Sequence, residues 1–127
     1  MSIFVDEQDA VKITVRYVVE PKGVKVLDDG QEPPDGCESV TAEFRRPNFG
    51  LAQQLMRAST TIDANGQPSL NIADLNHNML YLLLKSWDVK DSKGEPVEPT
   101  PGAINRMRIE VARALVTRLV NVVGTIM

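Results

Sequence analysis

Two apolar stretches late in the chain limit what it can fold into. Residues 71–87 and 101–123 both read as helices, and both carry more apolar surface than one core contact needs. At about 100° per residue, Ile104, Met107, Val111, Leu115 and Val122 fall on one stripe of the second helix, flanked by Ala112, Ala114 and Leu119. Ile109, Val116, Val120 and Val123 form another stripe, and Arg106, Glu110, Arg113, Thr117 and Asn121 fill the polar face between. An ordinary surface helix has one apolar stripe, about 100° wide. The second stripe must therefore be buried in the same domain or meet another chain. In residues 71–87, Ile72, Leu75, Met79, Leu82 and Leu83 face one way. Ala73, Leu80, Leu84 and Trp87 widen the arc, while Asp74, Asn78 and Lys85 mark its wet side.

The first 46 residues have a different period. Val11, Ile13, Val15, Tyr17 and Val19 alternate with Lys12, Thr14 and Arg16, the pattern of a half-buried strand. Pro21 and Gly23 punctuate a turn, and residues 24–27 suit a short second strand. Residues 28–38 form an acidic loop, and residues 39–46 alternate again with Val40, Ala42 and Phe44 on one face. Asn48 can cap a short helix over 49–59 that turns Leu51, Leu55 and Met56 inward. Residues 60–69 read as a loop with a tight Asn65-Gly66 turn, after which Ser69 or Asn71 caps the next helix. A turn at 91–94 follows Trp87, which its neighbours Leu83, Leu84 and Val89 should hold against the helices. Thr100-Pro101 opens the last helix and Gly124 closes it.

The expected fold is α+β: a small antiparallel sheet at the N-terminus, followed by three helices packed on it. At 127 residues the chain reads as one domain, strand-rich over 1–46 and helical over 47–123. A net charge of -3 argues against general nucleic-acid affinity. A single cysteine, Cys37, forms no intramolecular disulfide and suits a cytosolic setting. No apolar run reaches membrane-spanning length, and the acidic start over 1–9 is unlike a signal peptide.

No motif marks catalysis, a cofactor or a metal. Asp28, Asp29, Glu32, Asp35 and Glu38 have no calcium-loop spacing, and Pro33-Pro34 stiffens the segment. Asp63-Ala64-Asn65-Gly66 opens like an EF-hand, but Pro68 and Asp74 stand where that loop needs glycine and glutamate. His77 lacks an orienting partner or nucleophile, and one histidine with one cysteine cannot build a zinc site. Arg106, Arg108, Arg113 and Arg118 lack interleaved aromatics for base stacking, and Glu110 is spaced to answer Arg106 and Arg113. The expectation is a non-catalytic protein without cofactors.

The order of elements then supports a comparison. A strand pair leads to Phe44-Arg45-Arg46-Pro47 and a short Leu-rich helix. A helix follows that ends Leu82-Leu83-Leu84-Lys85-Ser86-Trp87-Asp88, then a glycine turn, Val97-Glu98-Pro99-Thr100-Pro101, and a long last helix. From about residue 41 to 119 this resembles the small tail assembly chaperones of long-tailed (siphovirus-type) bacteriophages. The resemblance implies a protein of the host cytoplasm that binds the tape measure protein. Such a protein keeps that long helical chain soluble until tail-tube subunits polymerise around it. The tail-tube protein is a further expected partner, and a homo-oligomer is expected because the second stripe can meet another copy of the chain as well as the tape measure protein. The rival classes are a head–tail or tail-completion part, which would stay in the virion, and a small regulator of nucleic acid or a host enzyme. Ile109, Val116 and Val120, flanked by Arg106 and Arg113, are the expected partner-binding residues. If both stripes instead lie in one core, a glutamate at Val116 would unfold the chain.

Overall fold

In β1, Ala10–Glu20, the predicted alternation buries Val11, Ile13 and Val15 and leaves Lys12 and Thr14 in water. The computed structural model describes residues 3, 5, 9–28 and 30–124. Most of the acidic start and Asp29 lie outside the described residues. Strand β2, Gly23–Val26, folds back on β1, and Gly23 takes the positive φ that the turn requires. Strand β3, Glu38–Arg45, pairs with the other edge of β1, antiparallel, with Val15 opposite Val40 and Ile13 opposite Ala42. The period-2 pattern therefore builds one apolar face, Val11, Ile13, Val15, Val40, Ala42 and Phe44, all buried.

Helix α1, Phe49–Ala58, starts as its sequence signal says. The Asn48 side chain accepts a bond from the Leu51 amide at 2.8 Å. Of the residues expected to face inward, Leu55 is fully buried, while Leu51 and Met56 are half-buried. The segment expected to be a loop then forms a hairpin of β4, Thr60–Ile62, and β5, Pro68–Leu70. Its turn is held by Asp63, whose carboxylate accepts the Asn65 and Gln67 amides, each at 2.9 Å. That carboxylate closes an Asx turn, and Gly66 supplies the positive φ.

Helix α2, Ile72–Leu83, is capped by Asn71 and buries Leu75, Met79, Leu80 and Leu83. It stops four residues before the expected end, at Trp87. Residues 84–87 are instead a strand, β6, Leu84–Trp87, paired with β3. The sheet order is β2-β1-β3-β6, so its fourth strand comes from the helical half of the chain. The error has a physical origin. Leu84 and Trp87 are three apart, a helical spacing, yet both face the core side of the sheet, opposite Phe44 and Ala42. A bulge inserts Lys85 between them, and a bulged strand can put residues i and i+3 on one face. Pairing with β6 also satisfies an edge of β3 that would otherwise present open backbone groups. Trp87 is half-buried, and its Nε1 donates to the Val97 carbonyl at 2.6 Å. It thus ties the connector to β6, as its expected anchoring role requires.

The connector turns on Asp91 just as the hairpin turns on Asp63. The Asp91 carboxylate accepts the Lys93 and Glu95 amides, and Gly94 has positive φ. Thr100 then caps α3, Pro101–Asn105, with Pro101 in the first turn. The expected single helix over 101–123 is broken. Arg108 is extended, with φ -64° and ψ 134°, and α4, Ile109–Val123, begins after it, so the described residues hold four helices rather than three. The break lets α3 meet the connector at Trp87, Val89 and Val97, while α4 lies along β1 and β2. Gly124 ends α4 with φ 77°.

Candidate functional site: a groove between the helices

The structure sorts the two expected stripes differently from a single straight helix. Ile104, Val111 and Leu115 enter the core as expected, but Val122 is 51% exposed. On the second stripe, Ile109 stands 53% exposed, whereas Val116 is only 7% exposed and belongs to the core. Val120 is half-buried against the same core. The expectation that Ile109, Val116 and Val120 form one outward stripe is therefore corrected. The cause is α2, which packs on α4 through the side that a straight two-stripe helix would have left open.

That packing is incomplete, and the gap is the candidate site. A groove of about 310 Å³ runs between α2 and the α3–α4 corner. Leu80, Ile104 and Val116 are buried at its base, with Met107 and Ala112 half-buried beside them. Tyr81 on α2 and Ile109 on α4 stand exposed along its margins. His77, Asn105 and Arg113 supply the polar part of its lining. The Tyr81 hydroxyl donates to the Asn105 side-chain oxygen and so links α2 to α3. Leu82 and Ile72, expected to face the core, are exposed on α2 instead.

Of the five predicted partner-binding residues, the groove brings together Ile109, Arg113 and Val116. Arg106 lies elsewhere, beside Trp87, Val89 and Val97 over the connector, and Val120 is outside the groove. The expected ion pairs of Glu110 with Arg106 and Arg113 do not form within 4 Å among the described residues. The helix break removes the i,i+4 spacing to Arg106, and the Glu110 carboxylate lies toward Gly23 of the β1–β2 turn. Sequence reasoning missed Tyr81 and His77 as lining residues. Their signal was the width of the apolar arc on α2, read as core alone.

Arg118 has a structural task. Its guanidinium donates to the Thr14 carbonyl at 2.5 Å and to the Leu27 carbonyl at 2.8 Å. It thereby covers the stretch of β1 that β2 is too short to pair. Arg118→Met keeps the aliphatic stem and loses both charge-assisted bonds. We expect a stability loss of about 2–3 kcal/mol in urea denaturation. A loss under about 0.5 kcal/mol would show that water replaces the guanidinium without cost.

The remaining candidate residues gather into no reacting centre. Cys37 is half-buried near the Glu38 carbonyl. Asp28, Glu32 and Asp35 are exposed, and Arg16 holds their loop through the Asp28 and Gln31 carbonyls. Tyr17 has its pKa raised, first by burial and then by the Glu38 carboxylate opposite it. Its phenol therefore stays protonated at neutral pH, in the sheet and outside the groove. No group of three metal-ligating side chains occurs among the described residues, and no described helix is long and apolar enough to cross a membrane. Comparison of the chain with protein-family models, curated proteins and solved structures found no match.

Proposed function

We propose that the chain is a non-catalytic phage tail assembly chaperone of the host cytoplasm, which holds the tape measure protein through the α2–α4 groove. The observation that carries this is the pair Tyr81 and Ile109, exposed at the margins of a groove with an apolar base. An amphipathic helix docking there exchanges its own apolar stripe and both of these side chains from water into contact. The tape measure protein, long and helical, offers such stripes repeatedly. Shielding them suppresses its aggregation until the tail-tube protein polymerises around it. A groove open at the surface suits that temporary grip better than a closed cavity, because release needs no unfolding.

Ile109→Glu tests the site. Ile109 is exposed in the free chain, so the variant should melt within a few degrees of wild type. Capture of co-expressed tape measure protein should fall by about 10-fold or more, since an unpaired carboxylate inside an apolar contact costs several kcal/mol. Unchanged capture would move the interface away from the groove. Mass spectrometry of purified virions separates the rival structural role: a chaperone is absent from the particle, and a head–tail or tail-completion part is present.

A further inference from the structure

We infer that the helix received by the groove carries carboxylates beside its apolar stripe, and that it belongs to a different protein rather than to a second copy of this chain. The inference rests on the proposal that the groove is a docking site, and it specifies the chemistry of the occupant.

The first observation is charge sign. The whole chain has 17 acidic and 14 basic residues, yet neither aspartate nor glutamate lines the groove. Its titratable lining groups besides the Tyr81 phenol are Arg113 and His77. Arg113 is exposed and makes no ion pair with a described residue, and its expected partner Glu110 lies toward Gly23. A helix seated over Ile109 and Val116 would strip water from the Arg113 guanidinium. That desolvation is unfavourable unless an acceptor meets it, and a carboxylate can do so through two parallel bonds. A lysine in the same place would face a like charge across a low-dielectric contact.

The second observation concerns what another copy could offer. Helix α1 carries no carboxylate and ends on Arg57 and Ala58. Helix α2 has only Asp74, α3 has none, and the single carboxylate of α4, Glu110, is half-buried toward the sheet. None of these helices presents an apolar stripe with acidic flanks. The occupant is then a foreign helix. From Ile109 at its margin to Val116 at its base the groove spans about 10 Å of helix, so about two turns of the partner make the contact.

Two synthetic helical peptides of about 20 residues test this, each long enough to form stable turns. Both carry leucines at heptad spacing; one has glutamates flanking the stripe and the other lysines. Each is titrated against the full chain by fluorescence anisotropy at low and high salt. The glutamate peptide should bind about 10-fold more tightly at low salt, with the difference shrinking as salt screens it. Arg113→Glu, an exposed substitution, should reverse the preference while leaving the melting transition in place. Equal affinity for both peptides would overturn the charge inference and leave the docking site standing. Binding of neither peptide, or binding indifferent to Ile109→Glu, would overturn the docking site and the inference with it. Self-association in sedimentation that Ile109→Glu abolishes would assign the groove to a second copy and overturn the choice of occupant.

Discussion

Val116→Glu should leave no folded protein to study. Val116, on α4 at the base of the groove, is 7% exposed and packed into the core with Leu80, Ile104 and Leu115. A carboxylate there is taken from water into contact with the buried Leu80 and Ile104, and it overfills a space that fits a valine. The cost of several kcal/mol approaches the whole stability of a domain this size. Circular dichroism should show loss of the cooperative transition, with partner capture lost alongside. Ile109→Glu, two turns earlier on the same helix, should keep its transition and lose capture alone. If Val116→Glu melts like wild type, then α2 does not pack on α4 as described.

The second large effect is expected at Phe44→Ala. Phe44 is fully buried at the far end of β3, facing Val11 on one side and Leu84 on the other. Removing its ring leaves a cavity beside the bulge, where strands β3 and β6 are least able to collapse inward. The loss should be about 3–5 kcal/mol by urea denaturation. A loss near 1 kcal/mol would mean that β6 shifts to fill the gap, and that the Leu84–Trp87 pairing is looser than its register.

These two sites differ in how far each could be read from residues alone. The Phe44 environment was legible: strict alternation in β1 and β3 assigns a buried face without ambiguity, because a one-residue slip would expose every member. The caps at Asn48, Asn71 and Thr100 and the end at Gly124 were legible too, since each is a local contest between side chain and backbone. Val116 was not. Its facing depends on the packing of α2 over that side of α4, and the break at 106–108 was equally hidden, since no glycine or proline occurs between Gly102 and Gly124 to announce it. That break answers a tertiary demand, with one segment tied to Trp87 and the connector and the next laid along β1 and β2. Leu84–Trp87 failed for a related reason, because a bulge made a strand mimic helical spacing. The hairpin of β4 and β5 lies between these cases: its Asn65-Gly66 turn was read, but strands of three residues, all exposed except the half-buried Leu70, give too little pattern to detect. The excess of apolar surface was read correctly on both helices. Its division into core and groove needed the packing of α2 on α4.

The central claim is that the groove between α2 and α4 holds a tape measure helix. Its most direct measurement is the soluble yield of a phage tape measure protein co-expressed with this chain, with its Ile109→Glu variant, or alone. The account predicts that the wild-type chain raises soluble tape measure protein and co-purifies with it. It predicts that the folded Ile109→Glu variant leaves the yield near that of tape measure protein alone, since a buried unpaired charge removes the grip. Equal rescue by both chains, or no rescue by the wild type, would contradict it.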